Sequence, residues 1–185
     1  MQLSVVDFLH QAQTLPIIDV RSPGEFDHAH IPGAVNMPLF DNDERALIGT
    51  KYKKAGRDQA VLLGLEMVGP KLADFVRKAN KLSPKNRQVL VHCWRGGMRS
   101  GSMAWLLKTA GLTVNILEGG YKAYRNAVLS GLAEPHNLLI LGGKTGSGKT
   151  DVLKQLAAQG EQVIDLEGLA HHKGSSYGAI GQLPQ

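Results

Sequence analysis

The chain contains a single cysteine, Cys93, and the residues around it are of the kind that turn a thiol into a nucleophile. The stretch reads Val89-Leu90-Val91-His92-Cys93-Trp94-Arg95-Gly96-Gly97-Met98-Arg99-Ser100. The β-branched, apolar run predicts a strand that stops at Cys93. A free thiol has a pKa of about 8.5, and helix N-termini and nearby cations lower it into the reactive range. Here the amides ahead of the next helix and the guanidinium groups of Arg95 and Arg99 are expected to supply both effects. Gly96 and Gly97 let the backbone curl so that several N–H groups converge on one centre, an anion-binding nest. A thiolate in such a nest can attack electrophilic sulfur, selenium or phosphorus, and the nest then stabilises the negative product. A lone cysteine at a strand end is also a common inert core residue. Two glycines and two arginines next door do not suit that bland role.

A second chemical signal is Gly143-Lys144-Thr145-Gly146-Ser147-Gly148-Lys149-Thr150, which fits G-x-x-x-x-G-K-[ST]. In that pattern Gly143, Gly146 and Gly148 let backbone amides cradle a phosphate. Lys149 adds a point charge, and Thr150 offers a hydroxyl to Mg²⁺. The ligand is open between a nucleotide and another diphosphate. Other chemistry-bearing residues are less specific. Asp165 suits a metal or substrate hydroxyl as well as a turn. His171 and His172 are adjacent, so on an extended chain they point to opposite sides, and no metal site is expected. Lys51, Lys53, Lys54 and Arg57 form a candidate anion-contacting surface, although charge runs most often just keep a face solvated.

Composition bounds the rest. The chain has 185 residues, enough for one domain or two small ones. With 43% hydrophobic and 20% charged residues it reads as globular. The formal charge of +5 is a mild excess that permits an anionic partner such as RNA. One cysteine excludes an internal disulfide framework and suits the reducing cytoplasm. There is no signal-peptide pattern and no apolar run near ~18 residues, so no membrane association is expected.

Short strands alternate with helices along the chain. Ser4 to Asp7 has the form of a capping box that starts a helix with Val5, Phe8, Leu9 and Ala12 on one face. Ile17 to Val20 reads as a buried strand. Ser22-Pro23-Gly24-Glu25 starts a second helix, with Glu25 at N3. Ala34 to Met37 is a short strand. Asp41 to Glu44 begins a helix that Gly49 and Gly56 should interrupt. Val61 to Met67 and Leu72 to Ala79 have helical spacing. After the Cys93 loop come a helix ending at Gly111, a strand over Thr113 to Leu117, and a Gly-rich turn, Glu118 to Tyr121, into another helix. The alternation predicts an α/β fold with a mostly parallel sheet and helices on both faces. Ala133 to His136 is the best boundary, giving domains over residues 1–133 and 137–185. Beyond it, Asn137 to Leu141 and Gln162 to Asp165 read as strands around the phosphate loop. A phosphate-loop domain needs on the order of 100 residues to cover its sheet. Residues 137–185 are therefore read as the start of such a domain, and the chain as a fragment.

Three separated motifs carry a resemblance. Asp19-Val20-Arg21, Glu25-Phe26 and His30-Ile31-Pro32-Gly33-Ala34 resemble the first signature of rhodanese domains. Glu118-Gly119-Gly120-Tyr121 resembles their closing motif, and Cys93 falls at their persulfide-forming cysteine. The resemblance implies the rhodanese fold, with the active loop at a strand C-terminus. Arg99 lies six residues after Cys93, a C-x5-R spacing similar to rhodanese-like phosphatases. A longer loop suits a larger oxyanion. The fusion to a phosphate loop and the run from Asp165 to Ser176 resemble bacterial tRNA 2-selenouridine synthases, whose members are longer than this chain.

That resemblance implies conversion of the tRNA wobble 2-thiouridine to 2-selenouridine. Selenophosphate is the implied selenium donor, and geranyl diphosphate the implied source of a geranylated intermediate. It implies Cys93 as the catalytic residue of selenation, with Arg95 and Arg99 beside it. The loop with Gly143, Gly146, Gly148, Lys149 and Thr150 is implied to hold a phosphate-bearing ligand. No tightly bound cofactor and no structural metal are expected, apart from Mg²⁺ at the phosphate loop. The alternatives are a C-x5-R phosphatase, a generic sulfurtransferase, and a non-catalytic rhodanese module.

Overall fold

The computed structural model describes residues 1–144, 146–170 and 181. The chain divides into two compact units, Met1–Glu134 and Pro135–Gln185.

The first unit is built on a five-stranded sheet in which every pair is parallel. Its strands are β1 (Gln2–Leu3), β2 (Ile17–Asp19), β3 (Val35–Asn36), β4 (Gln88–His92) and β5 (Thr113–Leu117), in the order β1-β5-β4-β2-β3. The helices between them are α1 (Val5–Ala12), α2 (Pro23–His28), α3 (Asn42–Val68), α4 (Leu72–Leu82), α5 (Met98–Thr109) and α6 (Gly120–Ala133). β1 is a two-residue edge strand with no sequence signature of its own; only its pairing of Leu3 with Leu117 defines it.

The central strand decides where the reactive residue points. Successive strand side chains alternate between faces. Val89, Val91 and Cys93 face a cluster with Ile18, Val20, Met103, Leu107 and Phe75, under α4 and α5. Leu90 faces the other cluster, with Leu3, Phe8, Leu117 and Tyr121, under α1 and α6. Cys93 thus continues the α5-facing row. β4 pairs with β2 in a register that sets Asp19 beside His92, so both strands end level with the loop.

Local signals behave as their chemistry dictates. Ser4 caps α1 by accepting from the Asp7 amide at 3.2 Å. Asp7 takes the Ser4 hydroxyl at 2.7 Å rather than reaching the Ser4 amide. Phe8 is buried and Leu9 lies 39% exposed, so Leu9 does not belong to the packed face. Glu25 does reach back to the Ser22 amide, at 3.1 Å. Gly49 does not interrupt α3; a helix accommodates one glycine at about 1 kcal/mol. Gly56 does, adopting φ 82°, and α3 is two helices joined at that kink.

The second unit has α7 (Lys149–Ala158) and α8 (Leu166–Leu169). The strands expected at Asn137 to Leu141 and Gln162 to Asp165 are not formed. A strand exists only through a ladder to a neighbour, and neither segment has one among the described residues. Leu139 is fully exposed and Ile164 is 58% exposed, as unpaired chain would be. No helix among the described residues is long and apolar enough to cross a membrane.

Candidate active site: a thiol in an amide nest

Cys93 sits at the C-terminal end of β4, buried at 2% exposure, beneath the loop that leads into α5. α5 starts at Met98, so Ser100 falls in its first turn, where helix amides have no internal partner. The Ser100 hydroxyl lies 3.2 Å from Cys93 Sγ. Burial alone would push the thiol up. The Ser100 hydroxyl and the amides of Ser100, Arg95 and Gly97 outweigh it, and the net effect lowers the pKa from 9.0. The loop amides thus act as the glycines suggest, and neither guanidinium is among the named causes of the shift. Arg95 serves through its backbone N–H, while its side chain is exposed and forms no ion pair among the described residues. Ser100 carries the largest stabilising contact, a role that sequence reading had not assigned. The signal was available, since the seventh residue after the cysteine lies in the first turn of the helix.

Arg99 is committed elsewhere. Its Nη1 donates to Glu25 Oε2 at 2.6 Å and its Nη2 to Oε1 at 3.3 Å. Arg45 reaches the same carboxylate at 3.5 Å. Burial raises the Glu25 pKa, but Arg99, the Ser22 amide and Arg45 more than reverse this and hold it at about 2. The capping glutamate of α2 is thus also the anchor of the loop arginine. A cleft of about 420 Å³ opens beside the pair, lined by Ser22, Glu25, His28, Asn42, Arg45 and Trp94.

This pair has a pH signature. A carboxylate lowered from 4.5 to about 2 adds stability that is fully present above pH 4.5 and lost as pH falls toward 2. Thermal melts of the wild type are expected to fall through that window, and Glu25→Gln to flatten the acid limb. Identical acid limbs in the two proteins would show that the pair contributes nothing.

The loop is clamped from below. Tyr121 N donates to Cys93 O at 2.8 Å and Lys122 N to Trp94 O at 3.0 Å. Gly120, at φ 62°, packs so closely that an added Cβ would lie 2.5 Å from Gly96 N and 2.8 Å from Arg95 N. Tyr121 in turn lies under Arg21, whose guanidinium is 4.0 Å from the ring centroid. Arg21 is fully buried and paired with Asp19 at 2.6 Å, and it also donates to Ala29 O at 2.8 Å. Such a charge is tolerated because it is paired and hydrogen-bonded. His92 packs among these groups with its pKa lowered to about 4; burial is the main cause, opposed by Asp19 and assisted by Arg21.

In the second unit the phosphate loop closes on itself. Ser147 N donates to Lys144 O at 3.2 Å, and Lys149 Nζ to the same oxygen at 3.0 Å. Gly146 and Gly148 have φ 78° and 79°. A Cβ on Gly143 would meet Ser147 Oγ at 2.7 Å. Thr150 follows in the first turn of α7. Asp165 caps α8 by accepting from Gly168 N at 3.0 Å, which is the turn role of the two considered for it. His171 and His172 lie outside the described residues, as does Thr145.

A parallel sheet with a cysteine in an amide nest at the end of its central strand defines a rhodanese-like domain. The chain belongs to that family: residues 4–127 match the rhodanese-like domain. Residues 136–185 match the tRNA 2-selenouridine synthase AAA domain. The chain is 40% identical over 92% of its length to the tRNA 2-selenouridine synthase of Nitrosomonas eutropha, and 42% identical over 92% to that of Bordetella petrii. It spans about half the length of the relatives it matches, 44% and 46% of these two. A crystallised N-terminal domain from Clostridium difficile 630 is 42% identical, with a TM-score of 0.63, over 70% of this chain and 99% of that one.

Proposed function

We propose that this chain is part of a cytoplasmic tRNA-modifying enzyme that replaces the sulfur of wobble 2-thiouridine with selenium. The names of its relatives support the substrate class. The observation that carries the chemistry is the Cys93 thiol, lowered by the Ser100 hydroxyl and three loop amides. In the proposed step the thiolate attacks the terminal chalcogen of its donor. With a persulfide or perselenide donor the chalcogen–chalcogen bond breaks, the donor thiolate leaves with the electron pair, and Cys93 keeps an S–S or S–Se bond. Selenophosphate, whose selenium is already at the selenide level, instead gives up hydrogen selenide by water attack at phosphorus, with phosphate as the other product. The amides stabilise the charge that moves onto the new terminal atom. Arg99, released from Glu25, is the cation for the oxyanion of selenophosphate.

The phosphate loop is proposed to hold the diphosphate of a geranyl donor. Lys149 already points its ammonium into the loop at a carbonyl, the place a phosphate oxygen would take over. Mg²⁺, when bound, supplies charge neutralisation there, with Thr150 as its hydroxyl ligand.

The test incubates the chain with a persulfide or a perselenide donor and weighs it intact. One added selenium or sulfur atom is expected. Phosphate release from aryl phosphates with no chalcogen uptake would sink the proposal in favour of the phosphatase reading. Nucleoside analysis of wobble-position tRNA from cells with and without the gene checks the substrate. Unchanged 2-selenouridine would remove that part.

A further inference from the structure

We propose that the kinked, basic arm of α3 is a docking surface for the phosphate backbone of RNA. The inference rests on the tRNA reading above and adds to it a place on the molecule. All eleven residues from 49 to 59 are exposed, so this stretch is helical with no buried face. A helix that is polar on every side is ordinarily held by pairs three or four residues apart, or it bridges to something else. No ion pair is formed by Lys51, Lys53, Lys54 or Arg57 among the described residues.

The arm is nevertheless held at both ends. Asp41 and Glu44 close a capping box at its start. Lys71 grips Glu44 at 2.5 Å, and Ala60, Gly64 and Val68 bury the returning half. Gly64 lies against the Phe40 ring, where an added Cβ would sit at 3.3 Å. Between these anchors the chain turns at Gly56, whose φ of 82° suits glycine alone. The fold thus holds out an exposed helical element that contributes little to its own core.

The charge says what that element fits. Four cations stand against Asp58 alone, which puts +3 of the chain's +5 on eleven residues. At about 100° per residue, Lys51, Lys53 and Lys54 fall within one half of the helix. Tyr52, 56% exposed, falls on the opposite side of the helix from the three lysines and is not part of that face. Such a surface neutralises phosphates without reading sequence.

The experiment measures binding of a labelled, unmodified tRNA transcript to the 185-residue chain across a range of salt. The variant K51Q/K53Q/K54Q/R57Q is expected to bind at least ~10-fold more weakly, with the slope of log affinity against log salt reduced by about three. Replacing the three lysines with arginine should keep both. All four positions are exposed, so the melting temperature should not move. Unchanged affinity and slope would overturn the assignment, and so would displacement of the tRNA by polyglutamate as effective as by RNA, since that marks an acidic protein as the partner. Chalcogen uptake at Cys93 is followed in the same samples. A wild type that loads Cys93 but binds no tRNA refutes the arm and leaves the thiol chemistry standing. One that binds tRNA through the arm but never loads Cys93 does the reverse.

Discussion

Cys93→Ser is expected to abolish chalcogen uptake, with no mass gained from a persulfide or a perselenide donor. Under the proposed function, tRNA modification should fall by ~10³-fold or more, about 4 kcal/mol of barrier. The physical reason is the ionisation of the group at this position. The three amides and one hydroxyl outweigh burial and lower a thiol that starts at 9.0. A serine hydroxyl titrates far too high for the same contacts to ionise it. The substitution should leave the fold intact, because a serine Oγ can keep the contact that Sγ makes with Ser100 at 3.2 Å. Ser100→Ala separates the nest from the nucleophile. It removes the largest stabilising contact while keeping the sulfur, so alkylation of Cys93 should require higher pH than in the wild type. Retained activity in Cys93→Ser would mean that the module acts by binding a partner, without covalent chemistry.

The second large effect is expected from Gly120→Ala. Two terms add. A non-glycine residue at φ 62° carries about 1–2 kcal/mol of backbone strain. The new Cβ would also fall onto the backbone of Cys93, Gly96 and Arg95, and overpacking adds about 1–3 kcal/mol. A loss near 3 kcal/mol should lower the melting temperature by about 10 °C. The chemistry should fail with it, because Arg95 N is one of the donors that lower the thiol. The neighbouring glycine is the control. At Gly119, φ 69°, an added Cβ would meet the Ala123 methyl at 2.8 Å and not the loop. Gly119→Ala should destabilise the chain yet leave the alkylation pH profile of Cys93 where it was. Parallel shifts in both variants would show that the loop is not clamped through Gly120.

Much of the site was legible because its signals are local. Cys93, its two glycines, the capping box at Ser22 and the phosphate-loop pattern all lie within runs of a dozen residues or fewer. Local backbone chemistry fixes such features before any tertiary contact forms. The alternation of strand and helix likewise determined a parallel sheet, since parallel neighbours require a crossover between them.

What lay further apart in sequence was decided only by packing. Arg99 and Glu25 are 74 residues apart, and nothing in either motif says that the loop arginine is spoken for. The lock of Gly120 under the loop likewise depends on β4 and β5 being neighbours in the sheet. The same cause explains the failures. Asn137 to Leu141 has the composition of a strand, but a strand is completed by its neighbour and composition cannot supply one. Alone, the sequence singled out Cys93 as the candidate nucleophile, in a loop that resembles those of rhodanese domains. The tertiary structure decided which groups lower its thiol, because the Ser100 hydroxyl and the loop amides outweigh burial, while Arg99 pairs with Glu25 and Arg95 lies exposed.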